Sequence, residues 1–291
     1  MPSVPLVDSH VLIWDPIRFK LPWLDTDYWT DPESVLGRPY GPAEFDRDAS
    51  GIAVEALVCL EVGAAPVYGL LEAQWLDLLA RQDSRIRAVV AWAPMEYGEQ
   101  ARTYLEAITS IGPRIKGVRR VLELEPDDFS LRPGFIRATQ MLPTYGLSFD
   151  LAIKRWQLRS GIELVRRCPE TSFVLNHLGK PGIKNRLRDP WWGEIAELAS
   201  MHNVVCKVSG MITEGDVKHW SYDDVAPYVE RVLEVFGEDR ILFGGDWPVV
   251  LLAASYRQWL ETAERVVSRL SSEAQAKFWA GNARRVYRLA E

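Results

Sequence analysis

Short apolar runs rich in β-branched residues recur along this chain, separated by longer amphipathic stretches, and that alternation constrains the fold more than any other feature. The runs cover residues 6–14, 54–62, 86–94, 115–123, 147–153, 171–178, 204–212 and 241–249. Each is nearly continuous in apolar residues, as strands buried on both faces of a parallel sheet should be. Helical periodicity falls between them. In residues 70–81, Leu71, Trp75, Leu78 and Leu79 share one face, and residues 100–110 and 222–236 read similarly. About eight βα units in a chain of 291 residues predict a (β/α)8 barrel. An open doubly wound sheet would place a glycine-rich turn after the first strand, and the sequence has none there. No linker or low-complexity segment interrupts the series, so residues 1–291 are expected to form one domain.

Two stretches stand outside the repeat. Residues 15–50 are rich in Pro, Asp and Trp and show little helical pattern, which predicts a long first βα loop. In a barrel such a loop lies over the catalytic mouth; a surface packing loop is the alternative. Residues 179–192 follow the sixth expected strand and mix Lys, Arg and Trp.

The composition, 47% hydrophobic and 25% charged, is that of a soluble globular protein with a large core. The net charge of -6 is spread over interleaved acids and bases. The absence of a basic stripe argues against a nucleic-acid partner. The longest apolar stretch, residues 248–254, is far too short to span a bilayer, so no membrane partner is expected. Cys59, Cys168 and Cys206 are odd in number and form no C-x-x-C, which fits small buried hydrophobes in a reducing compartment. Met1-Pro2-Ser3-Val4 leads directly into the first run, so a cytoplasmic location is expected. A small molecule is the expected partner, and nothing in the sequence signals oligomeric state.

Working residues of a barrel sit at the C-terminal ends of its strands. Here those ends carry His10, Glu61, Trp92, Arg119 with Arg120, Asp150, His177, Lys207 with Ser209, and Asp246. Ionisable groups ending apolar strands need a reason, because burying an unpaired charge is costly. Two imidazoles two residues apart on a strand share a face and can reach one metal ion. After His10 that second position is Leu12, which cannot ligate. Asp246, within Gly244-Gly245-Asp246-Trp247-Pro248, is either a metal ligand or a general base for water; a helix cap is the plain alternative. A lone histidine is more often structural. His10 and His177 ending two strands, with Asp246 ending a third, point instead to a shared site.

Arg119 and Arg120 point to opposite faces, and Arg119 shares its face with Gly117. Its guanidinium could fork onto a substrate carboxylate or hydroxyl pair, or pair with Glu61, Glu123 or Asp150, and these roles are compatible. Lys207 could donate to a developing oxyanion or be a structural partner of Glu61 or Asp150. Lys154 is read as exposed. His202 and His219 fall in helical or loop contexts and are given no role. Of the twelve tryptophans, Trp14, Trp23, Trp92, Trp156 and Trp247 fall on the mouth side. An aromatic wall suits a ring-shaped ligand, though core packing explains many tryptophans. Arg119, Lys207, Trp14, Trp23, Trp92 and Trp247 are the expected substrate-binding set.

Asp8-Ser9-His10-Val11-Leu12-Ile13-Trp14-Asp15-Pro16, Leu21-Pro22-Trp23-Leu24, Asn176-His177-Leu178-Gly179-Lys180-Pro181, Cys206-Lys207-Val208-Ser209-Gly210, Gly244-Gly245-Asp246-Trp247-Pro248 and Gly281-Asn282-Ala283-Arg284-Arg285-Val286-Tyr287 together resemble the amidohydrolase-2 branch of the amidohydrolase superfamily. Within it, sugar-lactone and dicarboxylate-lactone hydrolases are the most similar. The resemblance spans nearly the whole chain and implies a (β/α)8 barrel that hydrolyses a small lactone, in some members with one divalent metal and in others with none. It matches His10, His177 and Asp246 to site positions. Leu12 departs from the second histidine, Asn176 stands where aspartate is common, and Trp92, Tyr97 and Trp156 stand where relatives often have histidine.

The expected chemistry follows. Asp246 takes a proton from water, the hydroxide attacks the ring carbonyl, His177 with Arg119 or Lys207 steadies the oxyanion, and His10 orients Asp246 or the substrate. Nearby cations are expected to hold the Asp246 pKa low. No cofactor is expected because of Leu12; a zinc ion on His10, His177 and Asp246 is the alternative. A decarboxylase or lactone isomerase on the same barrel, and an altered or engineered scaffold that binds without turnover, are further alternatives.

Overall fold

The computed structural model describes residue 2, residues 4–25 and residues 35–289. Eight strands form one parallel sheet in sequence order: β1 (Leu6–Leu12), β2 (Val54–Leu60), β3 (Ile86–Trp92), β4 (Ile115–Arg119), β5 (Ser148–Leu151), β6 (Phe173–Leu175), β7 (Val204–Val208) and β8 (Ile241–Phe243). Closure between the first and last strands is made just past β8. Val11 bridges Trp247 in parallel, and the Leu12 N–H donates to the Trp247 carbonyl at 2.8 Å. Helices alternate with the strands: α1 (Pro42–Asp48), α2 (Gly69–Ala80), α3 (Ala101–Thr109), α4 (Pro133–Met141), α5 (Leu158–Arg167), α6 (Trp191–Ala199), α7 (Tyr222–Phe236) and α8 (Tyr256–Val267). This is the (β/α)8 barrel that the spacing predicts.

Local sequence explains the individual elements. In α5, Leu158, Ile162 and Val165 recur at helical spacing and are buried against the barrel, while Arg159 and Arg166 face solvent. Each such buried aliphatic side chain stabilises the packed state by about 1.5–3 kcal/mol. Ser255 opens α8 with a reciprocal cap. Its Oγ accepts the Gln258 N–H at 3.2 Å, and Oε1 of Gln258 accepts the Ser255 N–H at 2.8 Å.

After α8 the chain forms α9 (Ser272–Ala276), a wider turn over Lys277–Gly281 and α10 (Asn282–Val286). These lead Tyr287 into the end of the barrel opposite the mouth. Its hydroxyl lies 2.9 and 3.0 Å from the two carboxylate oxygens of Asp150.

Two expectations need correction. Residues 15–50 are not uniformly loop. Pro42–Asp48 is a helix with proline in its first turn, where the missing N–H costs nothing, and Phe45 buries its inner face. The Asp31-Pro32 part of that stretch lies outside the described residues. The strands are also shorter than the apolar runs. The run 171–178 pairs only over Phe173–Leu175, because His177 and Leu178 turn into left-handed backbone at φ 53° and 55°. Apolar character continues past the ladder because the strand tops are themselves buried.

Candidate active site

The contacts that close the barrel also build the site. The Asp246 N–H donates to the His10 carbonyl at 2.9 Å, which sets strand β1 beside the turn after β8. Asp8 fixes that junction from below. Its Oδ1 accepts the N–H of His10 at 3.0 Å and of Gly245 at 2.7 Å, and its Oδ2 accepts the Tyr256 hydroxyl at 2.8 Å. A side chain at Gly245 would collide with Asp8 and Tyr256. Burial pushes the Asp8 carboxyl up to about 6. Sequence reading gave Asp8 no role, although a carboxylate two residues before His10 on an apolar strand is a legible signal.

His10, His177 and Asp246 converge. Nε2 of His10 lies 3.6 Å and Nε2 of His177 3.8 Å from the same oxygen, Oδ1 of Asp246. The two imidazole rings are 4.4 Å apart at 50°. His177 is oriented by a 2.8 Å hydrogen bond between Nδ1 and the Ser209 hydroxyl. Gly210 follows with φ +60°, and a Cβ there would overlap His177 Nδ1 and come within 2.9 Å of Asp246 Oδ2. Burial, reinforced by surrounding positive charge, holds both histidines well below their ordinary range, so both are neutral at pH 7. Asp246 departs from expectation. Burial pushes its pKa up to about 7, against the pull of Lys180 and Arg119, because desolvation outweighs their attraction.

Arg119 points inward. Nε donates to Glu61 Oε1 at 2.7 Å, Nη2 to the Glu61 carbonyl, and Nη1 lies 3.3 Å from Nε2 of His10. Arg120 turns the other way, to Glu96 and Glu125. Lys207 is fully buried, 2.6 Å from Asp150 Oδ1, where Asn176 Nδ2 also donates at 2.9 Å. Lys207, Asp150, Tyr287 and Asn176 thus form a polar knot inside the barrel, centred on the Asp150 carboxylate.

The tryptophans divide. Trp23 reaches the Val62 carbonyl after β2 at 2.6 Å and stands edge-on to Trp14 at 5.3 Å. Trp14 and Trp247 are buried in an aromatic chain with Tyr40 and Phe45 under α1. Trp92 packs edge-on against Tyr104 of α3 at 5.4 Å and crowds Gly69 of α2. Trp156 and Tyr97 are exposed, and Leu12 is buried.

Sequence reading also passed over a charged arc at the mouth. Lys180 donates to Glu123 Oε2 at 2.6 Å and lies 3.5 Å from Glu214, and Lys154 lies 3.5 Å from Glu123. Lys154 is therefore paired and largely covered, not simply exposed as expected.

As a metal centre the trio fits only in part. The ligating atoms of His10, His177 and Asp246 lie within 4.8 Å of one another. A divalent ion there would acidify a bound water. Arginine, however, only donates, so Arg119 occupies the lone pair of His10 Nε2 that an ion would need. Among the described residues, Nδ1 of His10 also lacks the hydrogen-bond partner that orients most metal-bound imidazoles.

Comparison with known proteins supports the barrel assignment. The amidohydrolase family model matches residues 7–289, and the chain belongs to that family. It is 31% identical over 98% of its length to an L-fucono-1,5-lactonase of Burkholderia multivorans, covering 96% of that protein. It is 29% identical to an L-fucono-1,5-lactonase of Burkholderia ambifaria, covering 97% of this chain and 95% of the relative. A crystal structure of an amidohydrolase from Burkholderia multivorans with bound zinc superposes with a TM-score of 0.88 at 29% identity, over 99% of this chain and all of that one. Among the described residues no helix is long and apolar enough to cross a membrane.

Proposed function

We propose that this protein hydrolyses a lactone, most suitably a neutral hydroxylated sugar lactone, by metal-independent attack of water on the ring carbonyl. The observation that carries the reading is the placement of Asp246. It is a buried carboxylate with a pKa near 7, and two neutral imidazoles converge on one of its oxygens at the mouth of the barrel. A base with that pKa is half ionised at neutral pH and is a stronger proton acceptor than a solvated aspartate. The lactonases among its relatives support the substrate class.

In this mechanism Asp246 Oδ1 takes a proton from water as the water oxygen bonds to the carbonyl carbon. We assign the donor role in the contact between Ser209 and His177 Nδ1 to the hydroxyl, which leaves the His177 Nε2–H to bind the developing oxyanion. Collapse of the tetrahedral intermediate breaks the ring C–O bond. The protonated Asp246 returns its proton to the departing ring oxygen, and a hydroxy acid leaves. Arg119 holds His10 in place beside Asp246. A lactone is activated enough that no further electrophile is required.

The test is acid release from a panel containing L-fucono-1,5-lactone, δ-valerolactone and a dicarboxylate lactone, run on enzyme stripped with chelator and verified metal-free. Full activity is expected on stripped enzyme, with a loss of about 10²–10⁴ in Asp246→Asn. Activity abolished by chelator and restored by zinc overturns the metal-independent step. Carbon dioxide release, an isomeric lactone as product, or binding without turnover overturns hydrolysis.

A further inference from the structure

We infer that Lys154, Glu123, Lys180 and Glu214 form a subsite that reads adjacent hydroxyl groups on a neutral lactone ring. The inference rests on the lactone reading above and specifies which residues select the substrate.

The four side chains come from the loops that follow β5, β4, β6 and β7, so they occupy one arc of the mouth. They form a continuous chain of alternating charge. Lys154 to Glu123 is 3.5 Å, Glu123 to Lys180 is 2.6 Å, and Lys180 to Glu214 is 3.5 Å. Their side chains are 27%, 16%, 18% and 19% exposed, so the arc is largely covered but still open to solvent. The arc abuts the reacting groups. The Lys180 N–H donates to the His177 carbonyl at 2.7 Å, and the Lys180 charge attracts the Asp246 carboxylate.

Chemistry decides what such an arc accepts. Two carboxylates and two ammonium groups sum to zero charge. A carboxylate oxygen has lone pairs to spare beyond one ion pair, and an ammonium has three donors. A hydroxyl group both donates and accepts, so adjacent hydroxyls can bridge Glu123 and Lys180, or Lys180 and Glu214, without disturbing the charge balance. A substrate carboxylate has no such place. It would meet Glu123 and Glu214, and the cations nearby are already held by acids: Arg119 by Glu61, and Arg120 by Glu96 and Glu125. Sites built to hydrogen-bond hydroxyls reject ligands lacking them, because the site's polar groups are then left unpaired.

Binding is measured in the Asp246→Asn background by calorimetry, using D-glucono-1,5-lactone, δ-valerolactone, which has the same ring without hydroxyls, and a dicarboxylate lactone. The parent is expected to prefer the hydroxylated ring over both others. Glu123→Gln and Lys180→Met are each expected to reduce the preference for gluconolactone over valerolactone at least tenfold. Circular dichroism checks that each variant is folded, and Glu214→Gln gives the same readout should either fail to fold. An unchanged preference, or a parent that binds the dicarboxylate lactone best, overturns the inference. Turnover by the wild-type enzyme is scored separately. A preference that falls in the variants of a protein that opens no lactone retains the subsite and rejects the hydrolase reading, and the reverse result rejects only the subsite.

Discussion

Arg119 donates through Nη1 to Nε2 of His10 at 3.3 Å, and this contact fixes the state of the histidine. A guanidinium has no lone pair to accept with, so the proton of neutral His10 resides on Nδ1. That nitrogen is buried and has no partner among the described residues. The Nε2 lone pair, the one atom of His10 suited to ligate an ion beside Asp246, is already taken. Leu12 offers no second imidazole on the strand, and Arg119 contacts the ligating nitrogen of the first.

Freeing that lone pair should raise the affinity for a divalent metal. Removing Arg119 alone would leave Glu61 buried without its partner, a loss of roughly 3–5 kcal/mol. The pair is therefore neutralised together as Glu61→Gln with Arg119→Met. Zinc titrated calorimetrically is expected to bind this double variant at least tenfold more tightly than the wild type. Equal affinities would show that the guanidinium is not what competes with the ion.

The pH dependence of kcat/KM should report Asp246. Only its carboxylate form can accept the proton from water, and burial places its pKa at about 7. Activity is expected to fall about tenfold per pH unit below that value and to level off above it. Lys180 pulls this pKa down, so Lys180→Met is expected to move the acid limb to higher pH. A limb near pH 4 in the wild type would mean that Asp246 is solvated in the working enzyme.

Much of this was legible in the sequence, for identifiable reasons. Strand and helix periods gave the barrel, and polar residues at strand ends gave His10, Asp246 and the inward Arg119. Pairing across the barrel was legible only as alternatives. Asp150 for Lys207 and Glu61 for Arg119 stood among several candidate partners, and the structure selects them. Tyr287 reaches Asp150 from 137 residues away, and no local pattern links those two. Glu123, Lys180 and Glu214 lie in loops whose mutual approach depends on the closed barrel. The direction of the Asp246 shift was misjudged because nearby cations can be guessed from sequence, whereas the depth of burial that outweighs them cannot.

Lys207 should behave as a structural residue. Its ammonium is fully buried against Asp150, where Tyr287 and Asn176 also donate. Lys207→Met leaves that carboxylate short of its cation and should cost roughly 3–5 kcal/mol of stability by denaturant unfolding. At a temperature where the variant remains folded, KM is expected to stay near the wild-type value. A large rise in KM with little loss of stability would return Lys207 to the substrate-binding set.

Glu72 gives a prediction on stability. It is buried on α2, where Oε1 accepts the Val62 N–H at 3.0 Å and Oε2 has no partner among the described residues. Burial, with Glu61 nearby, pushes its pKa from an ordinary 4.5 up to about 8. The folded state therefore holds a proton that the unfolded chain releases across that window. The contribution to stability is fully present below pH 4.5 and is lost as pH rises towards and through 8. At ~1.4 kcal/mol per pKa unit the whole effect reaches a few kcal/mol. Glu72→Gln keeps the acceptor for Val62 and has nothing to ionise. It is expected to flatten the decline in unfolding free energy between pH 5 and 8 and to exceed the wild type in stability at pH 8. The flattening should be partial, because Asp8 and Asp246 are shifted upwards as well and slope the same way. Parallel stability curves for the two proteins would show that Glu72 is ionised inside the fold.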